Sequence, residues 1–221
     1  MAITEKTLDF LVQNRLENSR EWYGAHKQQY QQLVLEPLVQ LVQDLEPVMQ
    51  KIDPNLITTA KVDKTISRIY RDTRFSKDKS LYRDVVWCVF TRNRKENPYV
   101  PGFFLEFSPR DFRYGCGYYE STPKVMEKMR ELILQDDPAF LKADAAYKKQ
   151  KLFVMAGDVY KRAKHPDHPA QDWLNRKNLY FTHDSTDFAL LCSDDLHKVI
   201  AKGFEVLAPM YDFFCKVQKL V

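Results

Sequence analysis

The stretch VPGFFLEFSPRDFRYGCGYY, residues 100–119, decides the fold class. Two strand-favouring runs, Val100 to Phe107 and Phe112 to Tyr119, flank Ser108-Pro109-Arg110-Asp111, whose side chains suit a tight reversal. Within the second run Phe112, Tyr114, Cys116 and Tyr118 alternate onto one face, and Arg113, Gly115, Gly117 and Tyr119 onto the other. Two glycines on one face of a strand mark a close approach by another backbone, a bulge or a ligand, with packing by a helix the leading expectation. Upstream, Val85 to Thr91 reads as a further strand. Three strands in succession with short connections predict an antiparallel meander.

Helical signals lie on both sides of it. Thr4 is placed to cap a helix with Leu8, Leu11 and Val12 on its apolar face. Ser19 is placed to cap the next, where Trp22, Tyr23, His26, Tyr30, Leu33 and Val34 recur at helical spacing until Pro37 kinks or restarts the segment carrying Leu38, Leu41, Val42 and Leu45. Downstream, Thr122-Pro123 and Asp137-Pro138 open two helices, the second running into Lys148, Lys149 and Lys151. A short strand near Leu179 to Thr182 and a final helix opened by Ser193 follow. The expectation is an α+β fold, an antiparallel β-meander with helices packed around it, in a single domain over residues 1–221.

Composition narrows the function classes. No apolar run approaches a membrane span and the first residues lack an apolar signal core, so a soluble, cytoplasmic protein without a membrane partner is expected, its oligomeric state left open. Cys88, Cys116, Cys192 and Cys215 are far apart and form no C-x-x-C pair; Cys88 lies in Val-Val-Trp-Cys-Val-Phe and Cys215 follows two phenylalanines, which suits buried, reduced thiols. With six glycines and no G-x-x-x-x-G-K-[ST], G-x-G-x-x-G or G-x-S-x-G, the common nucleotide-cradling and hydrolase motifs are missing. His165, Asp167 and His168 are flanked by prolines and lack a second cluster, so no metal is expected. His26 reads as a hydrogen-bonded, partly buried helix residue, and His183-Asp184 lacks a nucleophile. Catalytic residues and cofactors are therefore unassigned, and the question of an enzyme is open.

Charge distribution is more informative. Between Lys61 and Lys95 eleven basic residues face four acidic ones; that segment carries +7 of a formal net +4, leaving the remainder at −3. Its centre is Arg68-Ile69-Tyr70-Arg71-Asp72-Thr73-Arg74-Phe75-Ser76-Lys77-Asp78-Lys79, with cations at every third position from 68 to 77. That period gives no clean helical face and suits an irregular ribbon. Guanidinium forks match carboxylates and phosphates, so Asp72 and Asp78 either neutralise the cations or hold them for an external anion. Tyr70 and Phe75 could stack on bases, or serve as core. Two readings stand. In the first, Arg68, Arg71, Arg74, Lys77 and Lys79, with Asp72 and Asp78, bind a phosphorylated small molecule or nucleic acid beside the bare face of Gly115 and Gly117, with or without turnover. In the second, the same motif is an internal salt-bridge network in a non-enzymatic interaction or structural protein.

The string R-x-x-R-D-T-R-F-S-K-D-K, followed by Leu81-Tyr82, closely resembles the signature of an uncharacterised conserved family, domain of unknown function 2461. The resemblance covers nearly the whole chain, through Asn18-Ser19-Arg20-Glu21-Trp22-Tyr23, Tyr114-Gly115-Cys116-Gly117-Tyr118-Tyr119 and Asp158-Val159-Tyr160-Lys161-Arg162. After Arg162 the family's glycine-and-aromatic loop is replaced by Ala163-Lys164-His165-Pro166-Asp167-His168-Pro169. The resemblance implies no activity and no catalytic residues.

Overall fold

The computed structural model describes residues 2–74, 76–95 and 99–221. Helices α1 (Glu5–Glu17), α2 (Arg20–Ala25) and α3 (Lys27–Tyr30) lead through a π-helical turn, Gln31–Leu35, into α4 (Glu36–Ile52). Strands β1 (Val86–Thr91), β2 (Gly102–Phe107) and β3 (Phe112–Gly117) follow, then α5 (Pro123–Leu134), α6 (Pro138–Lys149), β4 (Val154–Ala156), α7 (Gln171–Leu174), β5 (Tyr180–Ser185), α8 (Phe188–Leu191) and α9 (Leu196–Lys219). The strands form one antiparallel sheet in the order β1-β2-β3-β5-β4, so the fold is α+β with the expected meander at one side. No helix among the described residues is long and apolar enough to cross a membrane.

The chain divides into two compact units, each assembled from three segments. The first comprises residues 1–90, 104–114 and 184–201. Ser19 caps α2 as expected, accepting from the Trp22 N–H at 3.2 Å. Pro37 restarts the helix: the Glu36 N–H reaches back five residues to Gln31 O, and Pro37 has no N–H to continue the ladder, which accounts for the π turn just before it. Leu38, Leu41, Val42, Leu45 and Met49 are then buried along α4. The buried face of α1 differs from the expected one. Thr7, Phe10, Leu11 and Asn14 are inside, Leu8 is half-buried and Val12 is exposed. The Thr7 hydroxyl accepts from the Thr4 N–H at 3.1 Å, closing the first turn, and Phe10 packs on Trp22 and Tyr30, which rotates the helix onto that side.

The second unit comprises residues 91–103, 115–183 and 202–221. Thr122 and Asp137 cap α5 and α6 by accepting from Val125 N at 3.2 Å and Ala139 N at 2.9 Å. The core is aromatic: Trp173 meets Phe140 edge-on at 5.5 Å and Phe181 at 5.3 Å, and Phe181 stacks on Phe214 at 6.0 Å. Tyr118 is wholly buried and donates its hydroxyl to Phe214 O at 2.9 Å. Gly115 and Gly117 are both buried, and another element lies against Gly117 as the bare face predicts. The element at Gly117 is the backbone of Leu179 and Tyr180 entering β5, a strand rather than a helix, because β5 joins the sheet next to β3.

The four cysteines are free, with Cys88, Cys116 and Cys215 buried and Cys192 half-buried. His26 stacks on Trp22 at 4.0 Å with Nδ1 2.7 Å from Trp22 O, the hydrogen-bonded helix residue expected.

Candidate functional site: a cationic cleft in the first unit

The basic motif is irregular, as its period of three implies, but it is not loose. Residues on either side of it pair: Ser67 N donates to Trp87 O at 2.9 Å, Arg83 N to Ile69 O at 2.9 Å and Arg71 N to Leu81 O at 2.8 Å. Ile69 and Tyr82 point inward and are buried, so their neighbours Arg68, Tyr70, Arg71 and Arg83 are left towards solvent. A three-tyrosine stack supports the ribbon from below, with Tyr82 5.0 Å from Tyr23 and 5.1 Å from Tyr70. Burial pushes the Tyr82 hydroxyl up to about 12 and raises Tyr23 further, so these phenols stay neutral and act as a floor. Tyr70, the outermost, is 46% exposed.

This arrangement forms an open cleft of about 640 Å³, within the size range of ligand sites. It is lined by Asp63, Lys64, Ile66, Ser67, Arg68, Tyr70, Arg71, Asp72, Arg74, Arg83 and Trp87. Five cations face two carboxylates there. The Arg83 guanidinium lies 4.4 Å above the Trp87 ring, a cation–π contact that holds it in place.

The expected site residues separate into three groups. Arg68, Arg71, Asp72 and Arg74 come together on the cleft. Lys77, Asp78 and Lys79 do not line it; Lys79 donates to Thr73 O at 2.7 Å, and Asp78 accepts from Arg15 at 2.5 Å and from Ser80 N at 3.0 Å while Arg71 Nη1 lies 3.5 Å away. Asp78 thus ties the motif to α1, as does Asn18, whose side-chain oxygen accepts from Leu81 N at 2.6 Å. Gly115 and Gly117 belong to the second unit, and the recess at Gly117 is filled by the 179–180 backbone rather than kept for a ligand. Phe75 lies outside the described residues.

Pairing inside the cleft is partial. Arg68 is bonded to Asp63, and Arg74 clamps Asp72 through Nη2 at 2.6 Å and Nε at 3.0 Å, with the Arg74 N–H adding a third bond at 3.1 Å. These bonds hold the Asp72 carboxyl well below the usual carboxylate range. Hydrogen bonds from the Ser80 hydroxyl and N–H, then from Arg15, do the same for Asp78. Arg71 reaches Ser76 Oγ at 3.2 Å, and its buried Nε has no partner among the described residues.

Lys64, Arg83 and Trp87 were not singled out from the sequence. Both cations lie inside the basic segment already counted; what joins them to the motif is the pairing of residues 67–71 with 81–87, for which an irregular ribbon gives no periodic signal.

The family profile described as "Conserved hypothetical protein (DUF2461)" matches residues 6–213. No curated protein matches the chain. With the match spanning the helical start, the cleft and the sheet, the chain belongs to this family of conserved hypothetical proteins.

Proposed function

We propose that the cleft binds a phosphate-bearing ligand, a nucleotide or nucleic acid, in a cytoplasmic protein whose unpaired thiols suit a reducing compartment. The carrying observation is that Lys64, Arg68, Arg71, Arg74 and Arg83 share one concave surface with the exposed ring of Tyr70 and the half-buried ring of Trp87. Fixed guanidinium groups match phosphate oxygens, and an aromatic platform beside them suits a base. Binding is favoured over acid–base turnover, because Asp72 is held ionised and no histidine is among the described residues that line the cleft.

A second reading, an internal salt-bridge network, is favoured by the Arg68–Asp63 and Arg74–Asp72 pairs and by Asp78, which pairs with both Arg15 and Arg71. The first two pairs are exposed and the Asp78 pairs are partly exposed, and such pairs contribute little to stability, so the readings separate experimentally. Changing Arg71 and Arg74 together to glutamine should leave Tm unchanged within error. Affinity for a labelled single-stranded oligonucleotide or a nucleoside triphosphate, read by fluorescence anisotropy, should fall about tenfold or more. Wild-type oligonucleotide affinity should weaken steeply with added salt. It should also stay flat from about pH 5 to 9, since the arginines remain charged and the depressed Asp72 is already ionised throughout. A variant that melts early yet binds like the wild type would overturn the ligand reading and leave the network.

A further inference from the structure

The segment Asp158–Arg162 has no part in the cleft, yet its central residue gathers positive charge in the second unit. Tyr160 is held rigidly: its N–H donates to Asn175 O at 3.0 Å, and Lys177 N donates to Asp158 O at 2.7 Å, so residues 158–160 run as a short pair with 175–177. Around the Tyr160 ring stand three cations, with Arg130 Cζ at 5.1 Å, Lys164 Nζ at 4.8 Å and Lys177 Nζ at 5.6 Å from its centroid. None of the three forms an ion pair with a carboxylate among the described residues. Arg130 is 6% exposed, and its charge is met only by neutral oxygens: Leu174 O at 3.0 Å, Arg176 O at 2.9 Å and the Tyr160 hydroxyl at 3.2 Å.

Three cations against one ring repel each other, and the ring quadrupole offsets only part of that. Because the Tyr160 oxygen accepts from Arg130, its own proton is free to be donated, and no described residue accepts it. The group therefore presents an O–H donor polarised by a buried guanidinium, flanked by two exposed ammonium groups on flexible stems. We propose that Tyr160, Lys164 and Lys177, backed by Arg130, form a second binding site that takes a single phosphate group, as a phosphate monoester or as one phosphate of a nucleic-acid backbone. Lysines serve phosphate as point charges from several directions, and a phosphate oxygen accepting from Tyr160 would receive the proton that Arg130 leaves available.

The test uses the full chain with Arg71→Gln and Arg74→Gln already introduced, so that failure here is distinct from failure of the cleft. Inorganic phosphate is titrated while the Tyr160 ring and the amides of residues 157–164 and 177 are followed by NMR. Saturable shifts in the millimolar range are expected at these positions. Adding Lys164→Gln and Lys177→Gln, both at exposed positions, should weaken binding about tenfold or more. Tyr160→Phe, which keeps the ring but removes the donor, should weaken it severalfold with the fold intact. A parallel titration with a short single-stranded oligonucleotide decides the source: tighter binding than phosphate assigns a backbone phosphate, and equal or weaker binding a monoester. No saturable shift at these residues, or shifts unaltered by loss of both lysines, would overturn the proposal.

Discussion

At Gly117 φ is +153°, and a Cβ built there would overlap the Tyr180 Cα and lie 2.6 Å from Leu179 O. Backbone atoms cannot swing aside as a long side chain can, and the dihedral itself is poor for an L-residue. Gly117→Ala should therefore cost on the order of 2–3 kcal/mol in chemical denaturation. Gly24, inside α2, has nothing within 4 Å of the same added atom, so Gly24→Ala should stabilise by about 0.5–1 kcal/mol. A result in which both changes behave alike would break the argument. The sequence made the bare face of Gly115 and Gly117 legible because strand alternation is strict, but it could not name the neighbour. Residue-level errors fall where a polar side chain is buried: in α1, Thr7 and Asn14 are inside and Val12 is not, and a hydrophobicity pattern has no term for a threonine whose hydroxyl closes its own turn.

Among the elements, those with local chemistry were readable. Ser19, Thr122 and Asp137 cap the helices they were expected to cap, and the turn at residues 108–111 joins β2 to β3. Asp137 does more than cap, since its second oxygen accepts from Lys216 at 2.6 Å, fastening the start of α6 to α9. Asp137→Ala should lose about 1–2 kcal/mol by urea unfolding, whereas Asp137→Asn, which keeps the cap, should retain most of the stability. Equal losses in the two variants would mean that the ion pair and not the cap carries the effect. Less legible was the insertion of β5 between β3 and β4, because it depends on partners more than sixty residues apart. The same reason hid the anchors of the basic motif: Arg15 and Asn18 bond to Asp78 and Leu81, each 63 residues further along the chain.

For the molecule as a whole, the thiols report on packing. Burial pushes the Cys88 thiol up to about 12 and Cys116 well above its ordinary value, while the half-buried Cys192 is raised too. Titration with a thiol-specific disulfide reagent near pH 8 should label one cysteine slowly in the native protein, Cys192, and all four after denaturation. Two or more fast thiols in the native state would contradict the packing described. The threading of the two units carries a consequence for synthesis. Residues 184–201 complete the first unit, and only after residues 91–103 and 115–183 of the second have been made. A growing chain usually folds its leading portion while the rest is still being translated. Here that order is denied: when the cleft's own residues leave the ribosome, the segment that finishes their unit has not been polymerised, so the first unit cannot close until residues 184–201 have been made.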